Sequence, residues 1–212
     1  MRSLLISFVF TTIFTTAHAQ ESCKSRIYNP SKPPQAPNNH IVQRAKKSPN
    51  TYYTANSYTD VYSLVKPKLA PDGWRNLKHR RAAGIESLIV LGAYESSFDW
   101  TEGRDWSNSS SGTACTEEAG MWQTSGNTLT GDLYKGMGLK DLFIKECSGY
   151  PIANDCRRFI KCTKAESKRD FATSYTWLVI RRTLLHHGPL IRKSDVYSHL
   201  RVQCMLDLEK LL

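Results

Sequence analysis

The sequence predicts a mainly helical fold, and three observations support this. Apolar residues recur at spacings of three and four in several segments, which is typical of helices with one buried face. Strand signals are weak, and the Gly-, Ser- and Thr-rich segment 97–130 suits a long loop or a small hairpin. Of the 212 residues, 40% are hydrophobic and 23% charged, as in folded globular proteins. We therefore predict one helical domain over residues 57–212 with a short loop or hairpin region.

The N-terminal segment has the three parts of an export signal. Arg2 supplies a positive charge, residues 4–14 form an apolar core, and an A-x-A motif ends at Ala19, before Gln20. The apolar core is short for a membrane span, so cleavage is favoured over an uncleaved anchor. We predict a signal peptide over residues 1–19 and a secreted or periplasmic protein without a stable membrane anchor.

Residues 20–56 are predicted to form an extended N-terminal arm. They are rich in Pro, Asn and Lys, and the stretch SKPPQAPNN contains three prolines. Proline lacks the backbone N–H and restricts its preceding residue, so regular structure is disfavoured here.

The longest predicted helix follows the turn Pro71-Asp72-Gly73, where Asp72 is a candidate cap. Its apolar stripe runs through Leu88 and Gly92 and ends near Tyr94. The last predicted helix aligns Val196, Leu200, Cys204 and Leu208 at a spacing of four. The four later helices are predicted over residues 131–146, 154–163, 169–187 and 195–211.

An even number of cysteines in an exported chain favours disulfides, although the sequence cannot choose their pairing. Zinc is the competing interpretation, but no CxxC occurs and His186 and His187 are adjacent, so they cannot share a helical face. We therefore predict no metal and no cofactor. The disulfide candidates are Cys23, Cys115, Cys147, Cys156, Cys162 and Cys204.

Glu95 is predicted on the inward face of the longest helix, at its C-terminal end. It follows Leu88 by seven residues and Gly92 by three, so one more turn of the apolar stripe reaches it. Burial, the negative end of the helix dipole and apolar neighbours all favour the protonated form, and we expect a raised pKa for Glu95. A carboxylic acid that is protonated near neutral pH suits general acid catalysis. The alternative is that Glu95 reaches solvent where the helix frays.

Two motifs resemble the lysozyme-like superfamily, in the branch of soluble lytic transglycosylases and goose-type lysozymes. GAYESSF at residues 92–98 is similar to the family segment in which the catalytic Glu closes a helix and precedes Ser and an aromatic residue. GMWQ at residues 120–123 is similar to the family's Gly-Leu-Met-Gln segment. The spacing of 28 residues from Glu95 to Gln123 is slightly longer than is usual in the family.

A third motif is weaker, since ATSY at residues 172–175 matches the family's Ala-Ala-Tyr-Asn only in part and is followed by Thr176. The resemblance covers about residues 57–190 and implies an α+β lysozyme-like fold with an active-site cleft beside the hairpin region. It also implies that Glu95 is catalytic. The substrate-binding positions that it implies are Ser96, Met121, Trp122, Gln123 and Tyr175.

The implied activity is cleavage of the MurNAc-GlcNAc backbone of peptidoglycan by a monomer. With one carboxylate, Glu95 protonates the glycosidic oxygen and then acts as base while the sugar's own 6-hydroxyl attacks, which leaves a 1,6-anhydro end. With a second carboxylate to activate water, the product is hydrolytic, and Asp99, Glu102 and Asp105 are candidates for it. The one-carboxylate arrangement is slightly favoured. Whether the glycan is N-acetylated, and whose wall is cut, stays open.

The formal net charge of +10 falls to +9 without residues 1–19 and favours attraction to anionic cell-wall polymers. No nucleic-acid-binding motif occurs, so a nucleic-acid partner is not expected. Two alternatives remain: a non-catalytic glycan-binding module or inhibitor, and a chitinase- or chitosanase-like hydrolase on the same fold.

Overall fold

The computed structural model describes residues 37–54, 60–104, 106–107, 109, 112–129, 136–150, 155–181 and 196–212. These residues are mainly helical, as predicted, with one antiparallel two-stranded sheet. The signal peptide predicted over 1–19 lies outside them. The helices are α1 (Pro37–Lys47), α2 (Val61–Leu69), α3 (Leu77–Ser96), α4 (Leu139–Cys147), α5 (Asp155–Lys164), α6 (Arg169–Ile180), α7 (Val196–His199) and α8 (Val202–Leu211), and the strands are β1 (Glu118–Ala119) and β2 (Thr124–Ser125).

The prediction of an extended arm is wrong for residues 37–54. Helix α1 begins at Pro37, where the fixed φ of proline suits the first turn of a helix. Ile41 and Ala45, four residues apart on α1, are fully buried, and so is Tyr53 beyond it. The Tyr53 hydroxyl donates to the Ala45 carbonyl at 3.0 Å. The last of the three prolines is therefore the first residue of the helix and the other two come before it, so none interrupts it, and this segment forms part of the core.

The central helix α3 ends within two residues of its predicted end, near Tyr94, but its start differs. Asn76 caps it instead of Asp72, because the Asn76 side-chain oxygen accepts from the His79 N–H at 2.8 Å. At the other end Ser97 is left-handed, with φ of 53°, and this conformation stops the helix directly after Ser96.

The later helices agree with the prediction in position but differ in length. Helix α5 lies within one residue of the predicted 154–163. Helix α4 begins only at Leu139, because Gly136 and Gly138 have φ of +79° and +71°, which is incompatible with a right-handed helix. Helix α6 ends at Ile180, and residues 182–187 of that prediction lie outside the described part.

The helix predicted over 195–211 is divided into α7 and α8. The stripe predicted for it is nevertheless buried, since Val196, Leu200, Cys204 and Leu208 are at most 3% exposed. At the division, the Arg201 N–H donates to Oε1 of Glu86 at 3.1 Å. Glu86 is 2% exposed in the middle of α3, so this buried carboxylate caps the start of α8.

Two apolar clusters hold these helices together. The first surrounds α3, which packs against α1, α2 and α8. The second lies between α4, α5 and α6, where neighbouring aromatic rings have centroids 4.9–6.3 Å apart. The rings are those of Phe143, Phe159, Phe171 and Tyr175.

The prediction of disulfides is confirmed for four cysteines. Cys147 bonds to Cys162 and joins α4 to α5, and Cys115 bonds to Cys156 and joins the segment before β1 to α5. Cys204 is disulfide-bonded as well. Cys23 lies outside the described residues. Disulfides are typical of extracellular compartments.

Within the described ranges, no helix is both long and apolar enough to cross a membrane.

His40 in α1 links stability to pH. Its Nε2 lies 2.8 Å from Oδ1 of Asp170, and its ring meets Trp100 edge-on. Burial lowers the pKa of His40 from its ordinary value of 6.5, although the Asp170 carboxylate acts in the opposite direction. Between the folded and unfolded pKa values, the unfolded chain therefore binds more protons.

We expect the contribution of His40 to stability to be present above its unfolded pKa and to be lost as pH falls through the folded pKa. His40→Asn should reduce the loss of unfolding free energy between about pH 7.5 and about pH 5, measured by urea unfolding. An unchanged pH slope in the variant would contradict this assignment.

Candidate functional site

Glu95 lies in the last turn of α3 and is partly buried. At about 100° per residue around the helix axis, it lies about 20° from Leu88 and about 60° from Gly92. The Leu88 carbonyl accepts from Nε1 of Trp122 at 2.9 Å, and Gly92 lies against Met121. Glu95 is therefore on the side of α3 that faces the β1–β2 hairpin, in line with the apolar stripe from which it was predicted.

Gly92 permits the close contact between α3 and the hairpin. A Cβ at this position would stand 2.7 Å from Cε of Met121 and 3.2 Å from Nε1 of Trp122. A larger residue would force the Met121 and Trp122 side chains to shift. The two sequence motifs thus meet in space, because the glycine of the first accommodates the side chains of the second.

Ser96 links the hairpin by a hydrogen bond to the last helical turn of α3, which carries Glu95. Its buried hydroxyl lies 2.9 Å from the Met121 carbonyl and 3.3 Å from the Gly92 carbonyl, and both oxygens can accept from it. The family resemblance implied that Ser96 binds substrate. In the structure its hydroxyl connects the helix end to the hairpin.

Of the three predicted substrate-binding residues on the hairpin, two are buried in the core and one is only partly buried. Met121 and Trp122 are 1% and 4% exposed and belong to the first apolar cluster. Gln123 is partly buried, with a left-handed φ of 47°, and its Nε2 donates to the Gly120 carbonyl at 3.0 Å. Its Oε1 accepts no hydrogen bond from the described residues, so this oxygen is available to a ligand donor.

Tyr175 reaches the hairpin region from α6. Its hydroxyl pairs with Oγ1 of Thr128 at 2.6 Å, in the single turn of 3-10 helix (Gly126–Leu129) that follows β2. Burial raises the pKa of Tyr175, although the hydrogen bond with Thr128 lowers it. The phenol is therefore neutral and ties α6 to the turn after the hairpin.

The loop after α3 runs along the hairpin. Trp100 is 6% exposed and packs edge-on against Trp122, with ring centroids 5.2 Å apart. The Glu102 carbonyl accepts from the Gly120 N–H at 2.9 Å. The prediction from sequence did not include Trp100, whose role depends on contact with a residue 22 positions away.

Two of the three candidates for a second carboxylate have local partners in this loop. Oδ1 of Asp99 accepts from the N–H and the hydroxyl of Thr101, both at 2.8 Å. Oε1 of Glu102 accepts from the Gly103 N–H at 3.2 Å. Asp105 lies outside the described residues.

A cavity of about 390 Å³ lies on another side of α3. The lining residues on the helix are between about 100° and 160° around the axis from Glu95, so the cavity does not adjoin the face that meets the hairpin. Its lining consists of Ile89, Val90, Ala93, Tyr94, Phe98 and His199.

In the part of the chain that the structure describes, no group of three or more His, Cys, Asp or Glu side chains could hold a metal ion. The chain matches no known family model, and no curated protein or solved structure matches it.

We expect Ser96→Ala to lower stability by about 1 kcal/mol, because it removes one buried hydrogen bond, and to lower any Glu95-dependent activity severalfold by loosening the hairpin. Ser87→Ala is the matched control, since Ser87 is fully buried on the same helix and donates only within it, to the Ala83 carbonyl at 2.8 Å. Chemical unfolding and initial rates measured side by side check this. Equal activity losses in the two variants would contradict a connecting role for Ser96.

Proposed function

We propose that the chain is a secreted muramidase that cleaves the MurNAc-GlcNAc backbone of peptidoglycan, with Glu95 as general acid and base. The observation that carries the proposal is the placement of Glu95. This partly buried carboxylate lies in the last turn of the central helix. That end of the helix contacts the GMWQ hairpin through Gly92, Ser96 and Trp122. Both segments resemble those of lytic transglycosylases and goose-type lysozymes.

The local chemistry supports a role for Glu95 in proton transfer. The last turn of a helix lies at the negative end of the helix dipole, which disfavours a second negative charge. Partial burial acts in the same direction, because removing a carboxylate from water favours its protonated form. A protonated Glu95 donates to the glycosidic oxygen as the bond to the anomeric carbon breaks, and the resulting carboxylate then accepts a proton from the attacking nucleophile.

Gln123 supports recognition of the sugar. Because Nε2 is held by the Gly120 carbonyl, the side chain is oriented and its Oε1 can accept from a hydroxyl or an acetamido N–H. Met121 and Trp122 are buried in the core, where their contacts with α3 hold the hairpin in place. We therefore assign Gln123 to ligand contact, and Ser96, Met121, Trp122 and Tyr175 to positioning.

Asp99 and Glu102 both accept hydrogen bonds from neighbouring residues of the loop, and this supports a one-carboxylate mechanism. Oδ1 of Asp99 stabilises a turn, and Glu102 accepts from its neighbouring backbone N–H. An intramolecular attack by the sugar's 6-hydroxyl needs no activated water and leaves a 1,6-anhydro end. Hydrolysis by a second carboxylate would leave a reducing end.

The experiment is mass spectrometry of the soluble fragments released from purified peptidoglycan, native and chemically de-N-acetylated, with chitin and chitosan in parallel. Peptidoglycan fragments with anhydro ends support the transglycosylase, and reducing ends support a lysozyme. Fragments only from chitin or chitosan would replace the proposal with another glycosidase. Binding to peptidoglycan without fragments from any polymer would replace it with a glycan-binding module.

A further inference from the structure

Trp106 is 82% exposed, the most of any large hydrophobic residue in the described part of the chain. The other four tryptophans are enclosed: Trp100, Trp122 and Trp177 are at most 6% exposed and Trp74 is partly buried. A single exposed apolar side chain is ordinary on a protein surface. Two further features distinguish Trp106, namely the partner on one of its faces and the anchoring of its loop.

Arg104 covers one face of the indole. Its guanidinium carbon lies 4.4 Å from the ring centroid of Trp106, the geometry of a cation–π contact. Nε of Arg104 is buried and makes no hydrogen bond with the described residues. The cation contacts the ring, and because Trp106 is so exposed, most of the rest of its side chain is open to solvent.

The loop that carries Trp106 is anchored to the hairpin. Trp100 packs on Trp122, and the Glu102 carbonyl is bonded to the Gly120 N–H of the hairpin. Trp106 follows Glu102 by four residues, so its Cα lies within about 14 Å of the Glu102 Cα. The hairpin in turn contacts the end of α3.

We infer that Trp106 is a stacking platform for a sugar ring, in an outer subsite for the glycan strand whose cleavage is proposed at Glu95. One face of a pyranose ring presents C–H groups, and such a face packs on an aromatic ring. An indole supplies a large contact area with few rotatable bonds to restrict. Arg104 is the positioning residue, and its charge also attracts the carboxylates of peptidoglycan. The inference rests on the proposed function.

The binding test uses iodide quenching of tryptophan fluorescence in the Glu95→Gln variant, with soluble peptide-free glycan strands as the probe. Because Trp106 is the exposed tryptophan, iodide should quench mainly its emission, and Trp106→Phe should remove that component. We expect the strands to protect it. If calorimetry shows that the strands bind and the quenching of Trp106 by iodide is unchanged, the inference is wrong. It is also wrong if anionic phospholipid vesicles protect Trp106 from iodide and the strands do not.

The kinetic test compares Trp106→Ala, Trp106→Phe and Ile144→Ala on the same strands. Ile144 is the control, because it is 49% exposed and lies on α4. We expect Trp106→Ala to raise KM about tenfold with kcat nearly unchanged, Trp106→Phe to restore most of the affinity, and Ile144→Ala to resemble wild type. If the wild type cleaves the strands and Trp106→Ala has an unaltered KM, the inference of a subsite is wrong and the proposed function stands. If the strands protect Trp106 but neither the wild type nor any variant cleaves them, the proposed function is wrong and the inference of a binding site at Trp106 stands.

Discussion

Replacing Glu95 with glutamine is expected to lower the rate of glycan cleavage by about 10²–10⁴-fold, because an amide can neither give a proton to the glycosidic oxygen nor take one back. Glutamine has nearly the same shape, so the end of α3 should keep its contacts with the hairpin. At pH values where Glu95 is ionised, removing its negative charge from the C-terminal end of the helix is expected to raise stability by about 0.3–1 kcal/mol. The measurements are the rate of release of new chain ends from soluble glycan strands and the unfolding midpoint of both proteins.

The matched controls for Glu95→Gln are Asp99→Asn and Glu102→Gln. Both are isosteric changes of carboxylates in the adjacent loop, and the amide oxygens can still accept the local hydrogen bonds that the structure shows. We expect each control to retain activity within about tenfold of wild type. A loss in Asp99→Asn as large as that in Glu95→Gln would contradict the one-carboxylate mechanism. Full activity in Glu95→Gln would contradict the assignment of Glu95.

Removing the Cys115–Cys156 disulfide is expected to lower the free energy of unfolding by about 4 kcal/mol, because the bond closes a loop over a sequence separation of 41 residues. It should also lower activity in protein that is still folded. The Cys115 carbonyl accepts from the Asn127 N–H at 2.7 Å, and Gly126 packs on the backbone of Cys156. The bond therefore holds the turn that follows β2. Cys115→Ala with Cys156→Ala, denaturant unfolding and kcat/KM at low temperature measure both effects.

The control for this variant is the second disulfide. Cys147→Ala with Cys162→Ala opens a separation of 15 residues and should cost about 3 kcal/mol. Both cysteines are fully buried in the second apolar cluster, between α4 and α5. We expect a smaller loss of activity than for Cys115 and Cys156. Equal losses of activity at equal fractions folded would refute a specific role for the Cys115–Cys156 bond beside the hairpin.

Patterns within one segment were enough to predict much of the helical fold. The apolar stripe through Leu88 and Gly92 was predicted from spacing, and both residues are buried on α3, because the period of a helix follows from its backbone hydrogen bonds. The burial of Val196, Leu200 and Cys204 was predicted in the same way, although the helix breaks at Arg201. At that break the Arg201 N–H donates to Glu86, which is 115 residues away, and a local pattern cannot reveal this contact.

The errors also have physical causes. The prolines before residue 37 indicated an extended arm over 20–56, but proline at the first position of a helix is compatible with the turn that follows. Asp72 was chosen as the cap of α3 because it lies in the breaker segment, whereas Asn76 is the residue whose side chain reaches the first free N–H groups. The glycines at 136 and 138 shortened α4 through their positive φ angles.

The sequence by itself determined the helical class, the disulfide-bonded character of the chain and the position of Glu95 on the inward face of its helix. These properties follow from residue type and short-range spacing. Only the tertiary structure decided how the helix end that carries Glu95 is joined to the hairpin and how the hairpin region is joined to α6. Ser96 and Trp122 are held by backbone carbonyls on the opposite segment, and Tyr175 is held by Thr128. The packing of the helices and the hairpin determines these hydrogen-bond partners. A buried donor needs an acceptor, and here the acceptors come from parts of the chain that are distant in sequence.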